Sequence, residues 1–231
     1  MRTLVAGIPL PHITFDNHSF FSAPSLQEYP RIIVEMQAVS RAVDDVVEGN
    51  AEHRNFAGQP VANAATTATA FGLSQLLAMR RREAEWFLAR GGVLVCFIYP
   101  DVGHTGITGI DHWRRYSWLP APSEFRYADH LLPGFGTSGA VLINEGHPFA
   151  PYVTDFGSHL AYRAVIDETA PNFSDYGSVF IRSAGGAAIG AELQANEGRI
   201  ILLPPLARWD ADRAALAQVL FDSLERMRDR P

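Results

Sequence analysis

The chain has 231 residues, 47% of them hydrophobic and 19% charged, with a net charge of −6. That is ample material for a core and excludes wholesale disorder, and the acidic balance argues against a protein held to nucleic acid by bulk electrostatics. One cysteine excludes a disulfide framework and a thiolate metal cluster, and all 19 basic residues are arginine, which excludes Schiff-base, P-loop and Ser-Lys chemistry. No apolar run approaches the roughly 20 residues that span a bilayer, and the first residues lack the layout of a secretory signal, so a soluble, cytoplasmic protein is expected.

Arg2 to Ile8 predicts a short strand, ended by Pro9 and Pro11. Residues 15–30 are polar and aromatic without a period. Arg31 to Met36 (RIIVEM) reads as a buried parallel strand, and Ser40 to Val47 as a short helix with Val43, Val46 and Val47 on one face. Residues 49–69 are small, polar and turn-rich, and read as a long loop.

The clearest element is a helix over Phe71 to Arg90, on which Leu73, Leu76, Leu77, Ala84, Phe87 and Leu88 recur at helical spacing. Thr69 is its expected N-cap and Gly91-Gly92 its stop. Arg80, Arg81 and Arg82, with Glu83 and Glu85 beside them, read as its solvated face, with some local ion pairing. Val93 to Tyr99 is then a strand apolar on both sides, as when helices cover both faces of a parallel sheet.

Residues 101–139 read as an irregular excursion, followed by strand candidates at Ala140 to Asn144 and Ala161 to Asp167. Ser178 to Ser183 and Ala187 to Gln194 flank Ala184-Gly185-Gly186 as a hairpin. Arg199 to Leu203 is a further strand, and Asp210 to Arg228 an amphipathic closing helix. The expectation is one α/β domain over 1–231 with a mainly parallel sheet, helices on both faces and an antiparallel hairpin near the C-terminus.

Catalytic motifs are sparse. Cys96 sits between Val95 and Phe97 in an apolar strand, the place of a buried structural thiol rather than of a nucleophile. No G-x-S-x-G elbow occurs; Gly136-Thr137-Ser138-Gly139 has the wrong spacing and reads as loop. Gly185, Gly186 and Gly190 lie between two strands, where a dinucleotide fingerprint does not belong. H-E-x-x-H is absent.

The segment leaving the carboxyl end of the Val93 strand is richer. Asp101, His104, Asp111 and His112 have side chains suited to acid–base or metal work, at a spacing that matches no zinc motif. Trp113, Arg114, Arg115, Tyr116 and Trp118 are residue types that anchor interfaces and stack on planar ligands; they equally pin an irregular loop to the body. Asp16 and His18 follow the first strand. In a parallel sheet the loops after Ile8, Met36 and Tyr99 face one crevice, where ligands of open α/β sheets bind.

Two strings carry a family resemblance. Leu88-Ala89-Arg90-Gly91-Gly92-Val93-Leu94-Val95 is a helix running through Gly-Gly into a strand. Gly185-Gly186-Ala187-Ala188-Ile189-Gly190-Ala191-Glu192, followed by Gly198-Arg199-Ile200-Ile201-Leu202-Leu203-Pro204, is a late hairpin ending in a Gly-Arg-hydrophobic strand. The pairing resembles the class I glutamine amidotransferase-like superfamily, in its non-amidotransferase branches such as ThuA-like proteins and β-galactosidase trimerisation domains. Asn196 stands where the family's pattern has its first glycine, and no residue matches the family's nucleophilic cysteine. The resemblance therefore implies the scaffold and argues against glutaminase chemistry.

The leading expectation is a non-catalytic binding module without cofactor or metal. It would hold a protein partner or small ligand through Asp16, His18, Trp113, Arg114, Arg115, Tyr116 and Trp118. The competing expectations are a hydrolase-type enzyme built on Asp101 and His104, helped by Asp16, His18, Asp111 and His112, and a self-associating assembly subunit.

Overall fold

The computed structural model describes residues 2–49, 53–54, 56, 58, 60–63, 68–101, 107–108, 114–122, 125–137, 139–169, 171–208 and 212–228. In chain order the elements are β1 (Thr3–Ala6), β2 (Phe15–His18), β3 (Arg31–Glu35), α1 (Met36–Gly49), β4 (His53–Arg54), β5 (Pro60–Asn63), α2 (Ala68–Ala89), β6 (Val93–Phe97), β7 (Ile107–Thr108), α3 (Tyr127–His130), β8 (Leu131–Thr137), β9 (Val141–Leu142), α4 (Ala150–Phe156), β10 (Ala161–Ile166), α5 (Phe173–Tyr176), β11 (Gly177–Arg182), β12 (Ala188–Ala195), β13 (Gly198–Leu203) and α6 (Arg213–Arg228).

The main sheet runs β2-β1-β3-β6-β13-β12-β11-β9. The pairings from β2 to β13 are parallel, and those from β13 to β9 are antiparallel. The sheet is therefore mixed, and the expected parallel order holds for its first half: the late hairpin is extended by β13 and β9 into an antiparallel half. β8 and β10 pair in a separate two-stranded sheet, and β4, β5 and β7 in a small three-stranded one. The segment over 49–69 thus holds two short strands where a loop is expected from its composition.

Alternation along the central strands sends side chains to two cores. Ile32, Val34, Leu94, Cys96, Ile200 and Leu202 face α1 and α2, while Ile33, Val95, Phe97, Ile201 and Leu203 face α4 and α6. Cys96 is fully enclosed, and burial pushes its thiol well above its ordinary value, so it is a structural residue.

The junction of α2 with β6 is built from glycine. Gly91 has φ +80, its N–H bonds to Leu88 O, and Gly92 N–H bonds to Phe87 O at 3.0 Å, the two capping bonds of a Schellman motif. The helix begins at Ala68, so Thr69 lies inside it rather than capping it. At the other hairpin end, Asn196 takes φ 55 between β12 and β13, a conformation that asparagine tolerates better than most non-glycine residues.

The Arg80–Arg82 run is not uniformly solvated. Arg80 is 2% exposed and reaches Ala23 O, Pro24 O (2.9 Å) and Glu83 Oε2 (2.7 Å), and the same carboxylate oxygen accepts from Leu26 N–H at 3.3 Å. This buried knot pins the turn at Leu26–Glu28 to α2. Arg81 is exposed and pairs with Glu85 at 3.2 Å, the local pairing expected for that face.

Among the described residues, no helix is long and apolar enough to cross a membrane.

Candidate functional site

The parallel half aligns the carboxyl ends of β1, β3, β6 and β13 along one edge. Gly7 follows β1 with φ +94, and a Cβ there would lie 2.4 Å from Ala38 Cβ. Glycine thus lets the end of β1 pass against the first turn of α1. Two clefts open on this edge. One, of about 590 Å³, lies beyond β1 and β2 and is lined by Gly7, Ile8, His18 and Asp45 among others. The other, of about 480 Å³, lies beyond β3, β6 and β13 and is lined by Glu35, Tyr99, Arg115, Phe135, Arg163 and Pro205 among others. Arg41 of α1 lines both. The loops after Ile8 and Tyr99 and the start of α1 thus meet at one edge, as strand order and handedness require.

The second cleft is strongly cationic. Among the described residues, Arg41, Arg115 and Arg163 line it against the single carboxylate of Glu35. Glu35 ends β3, is 1% exposed, and accepts from Arg41 Nη2 at 3.0 Å. Arg115 is buried and fixed: its Nε donates to Ser40 Oγ and its Nη1 to Pro100 O, each at 2.8 Å, and its guanidinium lies 5.4 Å from the Tyr99 ring centroid.

Arg163 arrives from β10 of the two-stranded sheet. Tyr162 pairs with Gly136 and Ala164 with Pro133, so Gly134 and Phe135 oppose Arg163 alone in a bulge. The Arg163 guanidinium sits 5.8 Å from the Phe135 ring centroid, and that ring is 71% exposed. The start of β10 is tied to the chain after β13 by Ala161 N–H to Pro205 O at 2.9 Å and Ala207 N–H to His159 O at 2.7 Å. These bonds make β10 a wall of the cleft.

The other predicted residues fall in different places. His18 lines the first cleft, whereas Asp16 is bound by Arg2 and lines neither cleft. Tyr116 and Trp118 are core anchors, a correction to their expected place in a partner-binding surface. Tyr116 is buried and stacks on Tyr127 at 4.7 Å; its hydroxyl donates to Tyr99 O and accepts from Tyr99 N–H. Trp118 is fully buried against Phe20, ring centroids 4.8 Å apart. An irregular segment with few ladder bonds holds its place by such rings. Arg114 stays half exposed and turns back onto Asp101. His104, Asp111, His112 and Trp113 lie outside the described residues.

The Asp101 carboxylate is only 4% exposed, 3.6 Å from Arg114, and accepts from Tyr116 N–H at 3.4 Å. It braces the loop from beneath instead of presenting a base to the cleft. Burial raises its pKa, against the lowering effect of Arg114. A raised folded-state value means that keeping the carboxylate ionised costs stability as pH rises through that value, a cost absent below the ordinary carboxylate pKa of about 4. Asp101→Asn therefore gains in thermal midpoint on the parent at pH 7, and the gain shrinks as pH falls to about 4; calorimetry across that range checks it.

Glu35, Arg41 and Arg163 were not predicted as site residues. Glu35 had a legible signal, a charge closing an otherwise apolar strand; Arg163 had none, since its aim depends on a bulge. Among the described residues no group of three or more His, Cys, Asp or Glu is placed to hold a metal ion.

The fold is that of an α/β protein with a large mixed sheet, two smaller sheets and a cationic cleft at the parallel edge of the large one. No protein-family model and no curated protein matches the sequence. Among solved structures, the chain is similar to the cytoplasmic protein STM1381 from Salmonella typhimurium LT2, at 14% identity and a TM-score of 0.47, over 98% of this chain and 99% of that one. It is also similar to the cytoplasmic protein STM3548 from Salmonella typhimurium, at 10% identity and a TM-score of 0.43, over 96% and 98%.

Proposed function

We propose that this chain is a non-catalytic binding module on an amidotransferase-like scaffold, and that it holds a small anionic ligand in the cleft beyond β3, β6 and β13. The observation that carries the reading is the convergence of Arg41, Arg115 and Arg163 on one cleft in which, among the described residues, Glu35 is the single carboxylate. Guanidinium groups match carboxylate and phosphate oxygens in a fixed fork, and a concave wall concentrates their field. The rings of Tyr99 and Phe135 supply apolar walls that orient a ligand. Cys96, the only thiol of the sequence, is sealed in the core. The scaffold reading rests on α2, the Gly91-Gly92 turn and β6, with the glycine-led β13 beside them.

Citrate is a suitable first probe. At a hundredfold excess over its Kd, mass action raises the unfolding midpoint by roughly 5–10 °C for a chain of this size. The shift falls at high salt, because the attraction is electrostatic. Arg163→Ala removes most of it without disturbing the core, since Arg163 is exposed. A flat citrate titration at low salt sinks the reading.

A further inference from the structure

We infer that the ligand of this cleft carries an amine beside its anionic groups, and that the amine is received by Glu35; the inference rests on the anionic-ligand reading above. Glu35 is 1% exposed, its Oε2 accepts from Arg41, and its Oε1 is a buried acceptor with no hydrogen-bond partner. Buried carboxylate oxygens are normally matched by donors, so an unmatched one on a residue that lines a cleft marks a place for a donor that arrives with something else.

Arg41 decides what kind of donor. Its side chain is 61% exposed, and it stands where the two clefts meet. An anion entering the second cleft competes with Glu35 for that guanidinium. Drawing Arg41 away without replacement would strip a buried carboxylate of its counter-charge, which is strongly unfavourable. A ligand that brings its own ammonium removes the conflict, because Oε1 takes the ammonium while the arginines take the anion. Among the described lining residues, three guanidinium groups stand against one carboxylate, a balance that favours a ligand with more anionic groups than amines. The chemical class is a compact, net-negative amino acid or amino phosphate.

The test compares L-glutamate, 2-hydroxyglutarate and glutarate, which share a dicarboxylate skeleton and differ in the donor, by isothermal titration of the full chain at low salt. The parent protein is expected to bind glutamate roughly tenfold or more tightly than glutarate, with the hydroxy acid between. Glu35→Gln should erase the difference between glutamate and glutarate, and it should tighten glutarate because Arg41 is released from its ion pair. Arg41→Ala is a second variant at an exposed position; it should weaken glutarate and widen the preference for glutamate. Equal binding of glutamate and glutarate overturns the amine inference and leaves the anionic cleft standing. A glutamate preference that survives in Glu35→Gln overturns the assignment to Glu35. A protein that binds citrate but none of the three compounds overturns this inference alone, and one that binds none of the four overturns both.

Discussion

Replacing Arg80 with alanine lowers the stability of the protein by about 3–5 kcal/mol, the range for breaking a buried ion pair from one side. The reason lies in what is left behind. Glu83 is 8% exposed and would keep its charge with only Leu26 N–H as partner, while Ala23 O and Pro24 O lose their donor. The guanidinium also lies 6.0 Å from the Phe20 ring centroid, and Phe20 packs on Trp118, so the loss spreads to the loop that frames Tyr99. The double variant Arg80→Met/Glu83→Met should recover part of the loss, because no charge is then buried alone; the two carbonyls and one N–H stay unmatched, so recovery is incomplete. Chemical denaturation of the parent, both single variants and the double variant gives the cycle. Arg80→Ala within 1 kcal/mol of the parent would refute the knot.

The second large effect is at Gly198. A Cβ at this position would lie 2.7 Å from the carbonyl oxygens of both Gly92 and Leu88 and 2.8 Å from Leu88 Cα. All three are backbone atoms at the end of α2 and the turn into β6, so no side chain can rotate away. The same place is bridged by Arg199 N–H to Gly92 O at 3.0 Å. Gly198→Ala must push β13 away from the helix end or break that bond, at a cost of about 3 kcal/mol. For a chain of this length that is a fall in midpoint of roughly 6–12 °C. Gly58→Ala, with nothing within 4 Å of the new methyl, is a comparison for glycine strain alone, since its φ is +77. A Gly198→Ala midpoint equal to the parent's would show that the contact is not as tight as described.

Elements with a single dominant signal were legible in the sequence. The run from α2 through Gly91-Gly92 into β6, the turn at Ala184-Gly185-Gly186, and β13 all combine strong periodicity with glycine punctuation. β2, β8 and α4 were not. β2 (FDNH) is polar because it is an edge strand, β8 (LLPGFGT) contains a proline and two glycines because it bends around Arg163, and α4 carries a proline in its first turn and spans only two turns. In each, tertiary placement outweighs local propensity. Arg80 is a different case. It falls three residues after Leu77 and four before Ala84, on the buried stripe of the helix, and its charge concealed a position that the period assigns inward. For the site, the crevice followed from the parallel order of β1, β3 and β6, but its charged wall did not. Arg163 and Glu35 are about 130 residues apart in the chain, and only the closure of β10 onto the segment after β13 brings them together.

The division of the sheet into a parallel and an antiparallel half also governs how the chain reaches its native state. β11, β12 and β13 pair with near neighbours through short turns, a local assembly that closes in microseconds. The bond between the halves is β6 with β13, where Val93 meets Arg199, about a hundred residues away. That pairing bears the largest loop-closure entropy of the central sheet. The C-terminal meander can therefore gather early, yet it stays an unfinished edge until β6 docks. The cleft takes Glu35 and Tyr99 from one half and Arg163 and Pro205 from the other, so it is complete only at that late step, and ligand binding reports on completed folding and not on the early hairpin.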